Sequence, residues 1–182
     1  MIFSILYSAC PLLLCSIGAL FTEYAGILAL FLDGLVTFSA FLTFLFTTMT
    51  HSVFAGSVLS VLVSVILVFL FSQLLEMFNA NRFIAAMAMN LLFSALPSLL
   101  SFVFFGTRGV LTSPDFVFAI TSVKIVSILV SVILIATGIL FLIFSRHGLY
   151  LRITGSDADV LRAKGVNPGV YRLVSWMAAA VY

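Results

Sequence analysis

The chain has 182 residues, 64% of them hydrophobic and 8% charged, with a formal net charge of +2 and a mean hydropathy of +1.34. Roughly a quarter of the residues of a soluble domain are charged, so this composition excludes a soluble globular protein and leaves a polytopic integral membrane protein. The net charge itself decides little, because in a membrane protein the positions of Lys and Arg along the chain carry the information.

A hydrocarbon core about 30 Å thick takes about 20 apolar residues per helix. Five stretches reach that length: Ile2 to Phe21, Ala25 to Met49, Ser52 to Phe71, Phe83 to Phe105, and Phe116 to Phe144. The first lacks a basic leader and a small-residue cleavage site, so it is expected to stay as a helix. Cys10 and Cys15 both lie in it, at a spacing that puts them on different helical faces and gives neither a disulfide framework nor a metal motif.

The second stretch is interrupted by Asp33 and Gly34. A carboxylate and a helix-weakening glycine are tolerated at membrane depth only where they face protein or a water-filled cavity, so this span is expected to be broken near Asp33. Transporters build solute sites from such discontinuous helices. Asp33 either anchors the broken segment or lines the pathway, since an isolated buried carboxylate costs several kcal/mol.

In the fourth stretch Asn90 lies eight residues past Arg82, about 12 Å along a helix. Its amide either satisfies unpaired groups of the broken span or bonds a polar ligand. In the fifth, Lys124 either snorkels to the outer interface or pairs with Asp33.

Between Arg146 and Arg172 stand five of the eight basic residues. The positive-inside rule places this loop in the cytoplasm, and counting back through five spans puts Met1 outside. His51 and His147 then fall on opposite sides of the membrane, which argues against a two-histidine site. Within the loop the run from Gly155 to Gly165 reads as a short capped helix. Ser156 and Asp159 have capping-box spacing, Asp157 and Asp159 suit the positive end of the helix dipole, and Arg162 and Lys164 suit the negative end. Gly165 is placed for the left-handed closing position, and Pro168 stops the helix from resuming. Ala158, Val160, Leu161 and Ala163 supply its apolar contacts. Beyond it, Leu173 to Tyr182 starts a sixth apolar run about half a span long, which reads as the N-terminal part of a longer permease or as a truncated product.

Three segments resemble a known family. The loop from His147 to Arg172 is similar to the cytoplasmic coupling loop of bacterial ABC-importer permeases, in the subgroup for simple sugars, nucleosides and riboflavin, related to the ribose and branched-chain amino-acid permeases. The family pattern runs Gly-Leu-x-Leu-Arg-x-x-Gly, an acidic residue, small residues, then Gly-Ile/Val-Asn. Thr22-Glu-Tyr-Ala-Gly-Ile-Leu-Ala-Leu-Phe-Leu-Asp-Gly34 is similar to its Thr-Glu-Arg-Ala-Gly-Val-Leu-Asn-Leu-Gly-Leu-Glu-Gly, and the segment from Asn79 to Leu92 to its Ala-Asn-x-x-Val-x-Gly-Leu-Ala-Leu-Asn-Leu-Leu. The departures are Tyr24 for Arg, Ala29 for Asn, Phe31 for Gly, and Asp33 for a longer Glu.

The resemblance implies an all-α, type II-like transmembrane bundle, a single permease domain over residues 1–182, in the bacterial inner membrane. It implies as partners an ATP-binding subunit, a second permease (a like or unlike copy) and an extracytoplasmic binding protein, within the lipid bilayer; nucleic acid is not among them. ATP and Mg would be used by the ATPase partner and no cofactor by this chain. The coupling residues implied are Gly155, Ser156, Asp157, Ala158, Asp159, Leu161, Lys164 and Gly165, with Asp33 and Asn90 as candidates for the pathway. The solute is a nucleoside, riboflavin or simple sugar, and the aromatic content leans toward the first two.

The chain lacks a Gly-x4-Gly-Lys-Ser/Thr loop, a His-Glu-x-x-His motif and a Gly-x-Ser-x-Gly elbow, so the expectation is a transport subunit and not an enzyme. The competing reading is an ion- or proton-coupled secondary transporter with Asp33 and Lys124 as its relay.

Overall fold

The computed structural model describes the backbone of residues 2–78, 80–106, 111 and 120–182; the side chains of 2–4, 6 and 120–124 stand outside the description. Among the described residues every regular element is helical: α1 (Ile2–Tyr24), α2 (Leu32–Thr50), α3 (Val53–Met77), α4 (Arg82–Phe105), α5 (Ile120–Phe144), α6 (Arg146–Ser156), α7 (Ala158–Ala163) and α8 (Pro168–Val181). The five apolar stretches thus become α1 to α5 in order. Helices α2, α3, α4 and the Ile125–Phe144 part of α5 are long and apolar enough to cross a membrane.

The chain forms two compact units, one from Met1–Ala29 with Phe118–Tyr182 and one from Leu30–Val117. In the second, α2 packs against α3 and α4. Lipid tails are as apolar as leucine, so helices in a membrane gain mainly from close van der Waals contact and interhelical hydrogen bonds. Helix α3 meets that requirement with a small-residue stripe, burying Gly56, Ser60, Ser64, Val68 and Ser72 at every fourth position. Ser60 Oγ donates across the interface to the Ser39 carbonyl at 2.8 Å. Phe93 of α4 stacks on Phe38 of α2 at 5.4 Å and meets Phe71 of α3 edge-on at 6.0 Å.

In the first unit α1 packs against α5, α6 and α8. Its core is Ile17, Phe21 and Ala25 of the α1 segment with Leu142 and Leu151. Phe21 lies between Phe141 (6.0 Å) and Tyr182 (5.6 Å), and the Tyr182 hydroxyl donates to the Leu134 carbonyl at 3.1 Å.

The basic segment differs from the expected loop with one helix. It is helical from Arg146, where the Ser145 hydroxyl accepts from His147 N–H at 3.2 Å. Gly148, Leu151 and Thr154 form the buried side of α6. Burial of that side outweighs the weak helix propensity of two glycines and the β-branched Ile153 and Thr154. The apolar run expected from Leu173 begins earlier, at Pro168, because Asn167 caps α8 by accepting from Gly169 N–H at 2.9 Å. Pro168 opens that helix, since proline at the first position forfeits an N–H that would have no helical partner.

Candidate functional site

The break in the apolar stretch from Ala25 falls ahead of Asp33. Residues 25–31 are not helical, and α2 starts at Leu32. Phe31, at the position before it, makes no side-chain cap. The first intrahelical bond runs from Leu35 N–H to the Phe31 carbonyl at 3.0 Å, so the preceding amides need acceptors from elsewhere. Asn90 of α4 supplies one: its Oδ1 accepts from Gly34 N–H at 2.6 Å. An amide about 12 Å along α4 therefore caps the start of α2, the first of the two roles open to it. The fit requires glycine, because a Cβ at position 34 would meet the Asn90 carbonyl, its Oδ1 at 2.7 Å and Ser94 Oγ at 3.0 Å.

Asp33 lies in the first turn of α2 and is exposed, where a carboxylate favours the positive helix end. Thr37, one turn on, is exposed as well, and Ser94 and Ser98 of α4 are exposed while Asn90 is half-buried. Asp33 and Thr37 thus stand one turn apart on α2, and Asn90, Ser94 and Ser98 one turn apart on α4. Lys124, the other candidate partner of Asp33, lies outside the described side chains.

In the first unit the loop helix is α7, and its cap is one residue later than its sequence suggests. Gly155 and Ser156 belong to the last turn of α6, where Ser156 Oγ donates back to the Ile153 carbonyl at 3.4 Å. Asp157 adopts the extended conformation of an N-cap and accepts from Asp159 N–H at 3.1 Å. The Ser156 and Asp159 capping box is not formed, because α6 runs through Ser156. Asp159 pairs with Arg162 at 3.0 Å instead, both highly exposed, a contact worth at most about 1 kcal/mol.

The far end matches expectation. Gly165 has φ +74°, its N–H reaches the Arg162 carbonyl at 3.0 Å, and Val166 N–H reaches the Leu161 carbonyl at 3.0 Å, which is a Schellman closure. Leu161 is fully buried within the unit, so it holds α7 down and is not available to touch a partner. Ala158 is half-buried, and the outward side chains are Asp157, Asp159, Val160, Arg162, Ala163 and Lys164.

Sequence reasoning missed what α6 does at the end of α1. There Gly26, with φ +75°, closes α1 by a second Schellman turn, with Gly26 N–H on the Glu23 carbonyl and Ile27 N–H on the Thr22 carbonyl, each at 2.9 Å. Gly155 sits against this turn: a Cβ on it would meet the Tyr24 carbonyl and, at 2.8 Å, Gly26 N. One turn earlier Arg152 lies over the Tyr24 ring, 5.0 Å from its centroid. The contact uses the Tyr24 ring at a position where the resembling family has arginine. The paired glycines were the available signal, without anything local to connect them.

A cavity of about 350 Å³ in the same unit is lined by Phe141, His147, Leu151, Val170, Tyr171 and Val174. Its walls are apolar apart from His147 and Tyr171, whose rings stack at 6.3 Å, which does not suit a polar solute.

Among protein-family models, the one described as the permease component of branched-chain amino acid transport systems matches residues 1–182. No curated protein and no solved structure matches the chain.

Proposed function

Because the chain belongs to the family of branched-chain amino acid transport permease components, we propose that it forms the solute pathway of an ATP-driven importer and is driven by a separate ATPase through α7. As a family member it is a transmembrane permease subunit of the ABC-transporter type, a transport subunit and not an enzyme. The observation that carries the coupling reading is the construction of α7: a short helix, capped at both ends, anchored by the buried Leu161, with its charged side turned outward. An isolated helix of that length is unstable in water. This one is held by its flanks, as an element that transmits force must be.

The distribution of basic residues supports a cytoplasmic α6 and α7 and an external Met1, in a bacterial inner membrane. The partners are an ATP-binding subunit that uses ATP and Mg, a second permease and an extracytoplasmic binding protein. The polar side chains of Asp33 and Thr37 on α2 and of Asn90, Ser94 and Ser98 on α4 support a pathway for a small solute rich in hydroxyl and N–H groups, of the nucleoside, riboflavin or simple-sugar kind. Asn90 contributes there by fixing the start of α2, and Asp33 by presenting its carboxylate beside it. A carboxylate buried against lipid would be costly, which favours a water-filled, interfacial or partner-covered face for Asp33.

The test is Asp159→Lys in the permease reconstituted with its ATPase. Reversing an exposed charge on α7 leaves the membrane helices intact, lowers uptake by about tenfold or more, as a typical coupling energy implies, and leaves ATP hydrolysis running. Unchanged uptake would overturn the coupling role. Leu161 is unsuited to this test, because a change there removes the anchor of the helix itself.

A further inference from the structure

We propose that the contact of Gly155 with the Gly26 turn, braced by Arg152 on Tyr24, is the joint through which movement of α7 reaches the non-helical stretch that leads into α2. The inference rests on the reading of α7 as the ATPase-coupling element and adds the residues that carry the displacement onward.

The geometry on the α7 side is short and stiff. Asp157 N–H closes α6 on the Ile153 carbonyl at 2.8 Å, while Asp157 Oδ1 opens α7 on Asp159 N–H at 3.1 Å. One residue thus serves both helices, and Gly155 lies two positions before it. A push on α7 therefore acts on Gly155 with no flexible linker between.

On the other side Gly155 meets backbone. A Cβ on Gly26 would lie 3.0 Å from Gly155 Cα, and a Cβ on Gly155 would meet the Tyr24 carbonyl. Two main chains in contact have no side-chain rotamers to absorb a displacement. Leu151, fully buried with Phe21 and Ala25, and the Arg152 contact with Tyr24 hold α6 and the α1 terminus in one register. From Gly26 the chain continues through residues 27–31 to Leu32, the first residue of α2, whose opening turn bears Asp33 and Gly34. The covalent chain thus connects the Gly26 turn to the start of α2 through residues 27–31 alone.

The experiment follows a cysteine at Val36, which is exposed on α2 one turn past Asp33, in a background with Cys10 and Cys15 replaced by alanine. The full permease with its ATPase is reconstituted, and the rate of labelling by a hydrophilic maleimide is measured without nucleotide and with Mg-ADP-vanadate trapped. In the parent the rate changes between the two states by about three- to tenfold, as coupling energies along such routes imply. Gly155→Ala improves helix propensity but inserts a methyl against the Tyr24 carbonyl and Gly26 N; it abolishes the nucleotide-dependent change and leaves the nucleotide-free rate in place. Arg152→Leu, at an exposed position, weakens the response without burdening the fold, and Tyr24→Phe, which keeps the ring face, preserves it.

A nucleotide response that survives in Gly155→Ala, or that is undiminished in Arg152→Leu should the glycine variant not assemble, overturns the joint. If the parent responds and Asp159→Lys still responds fully, the coupling role of α7 itself is wrong, and that outcome is distinct from failure of the joint.

Discussion

Replacing Asn90 by leucine removes the acceptor of one hydrogen bond while keeping a side chain of similar size. The bond from Gly34 N–H is 2.6 Å long, and Gly34 is buried. Its amide precedes the first intrahelical bond of α2, so the helix offers no replacement. A buried donor left without an acceptor costs about 1–3 kcal/mol. A central figure of about 2 kcal/mol corresponds to roughly a 30-fold change in an equilibrium constant. The site-specific assay is amide hydrogen exchange in lipid nanodiscs, where the Gly34 amide of Asn90→Leu should exchange roughly 30-fold faster than the parent if opening is local. Amides in the middle of α3, packed on Ser60 and Ser64, should change little. Equal protection of Gly34 in the two proteins would refute the reasoning, because it would mean that the Asn90 oxygen does not hold the start of α2.

Other changes probe the same contacts from the opposite side. Gly34→Ala inserts a methyl against the Asn90 carbonyl and should destabilise the fold by about 1–3 kcal/mol in an unfolding titration; combined with Asn90→Ala, the total should fall short of the sum, because the two variants share one contact. At the loop, Asp157→Ala should cost about 1 kcal/mol through loss of the α7 cap, read as faster exchange of the Asp159 amide, while Ser156→Ala should leave that amide unchanged. The reverse order would restore the capping box that the sequence suggests.

The long helices were legible because hydrophobic length is a property of the chain in one dimension: α4 spans Arg82–Phe105 against the expected Phe83 to Phe105, while α3 runs on past the expected Phe71 to Met77, through Gln73 and Glu76. The interruption at Asp33 and Gly34 was visible in the same way, but its placement was not. The start of α2 is set by Asn90, 56 residues away in the chain, and the end of α1 by a left-handed Gly26 that local sequence does not distinguish from other glycines.

Helix α6 was hidden for a related reason. Its glycines and β-branched residues suggest a loop, and burial of Leu151 against α1 decides otherwise. That extension of α6 then moved the cap of α7 from Ser156 to Asp157, two residues equally able to cap in isolation. Leu161 stands among the residues the resemblance implies for coupling, yet it is buried, and a six-residue helix has too little pattern to reveal which side is covered. The far end of α7 was read correctly, since a glycine after a basic last turn is a local signal.

The most direct measurement of the central claim is the energy source of uptake. Proteoliposomes containing the permease and its ATPase would be supplied with the binding protein on the outside and a panel of a nucleoside, riboflavin, ribose and leucine. Uptake of at least one solute should require ATP and Mg on the ATPase side and should persist when a protonophore dissipates the ion gradient. Uptake that collapses with the protonophore while ATP remains would contradict the account and favour an ion-coupled carrier.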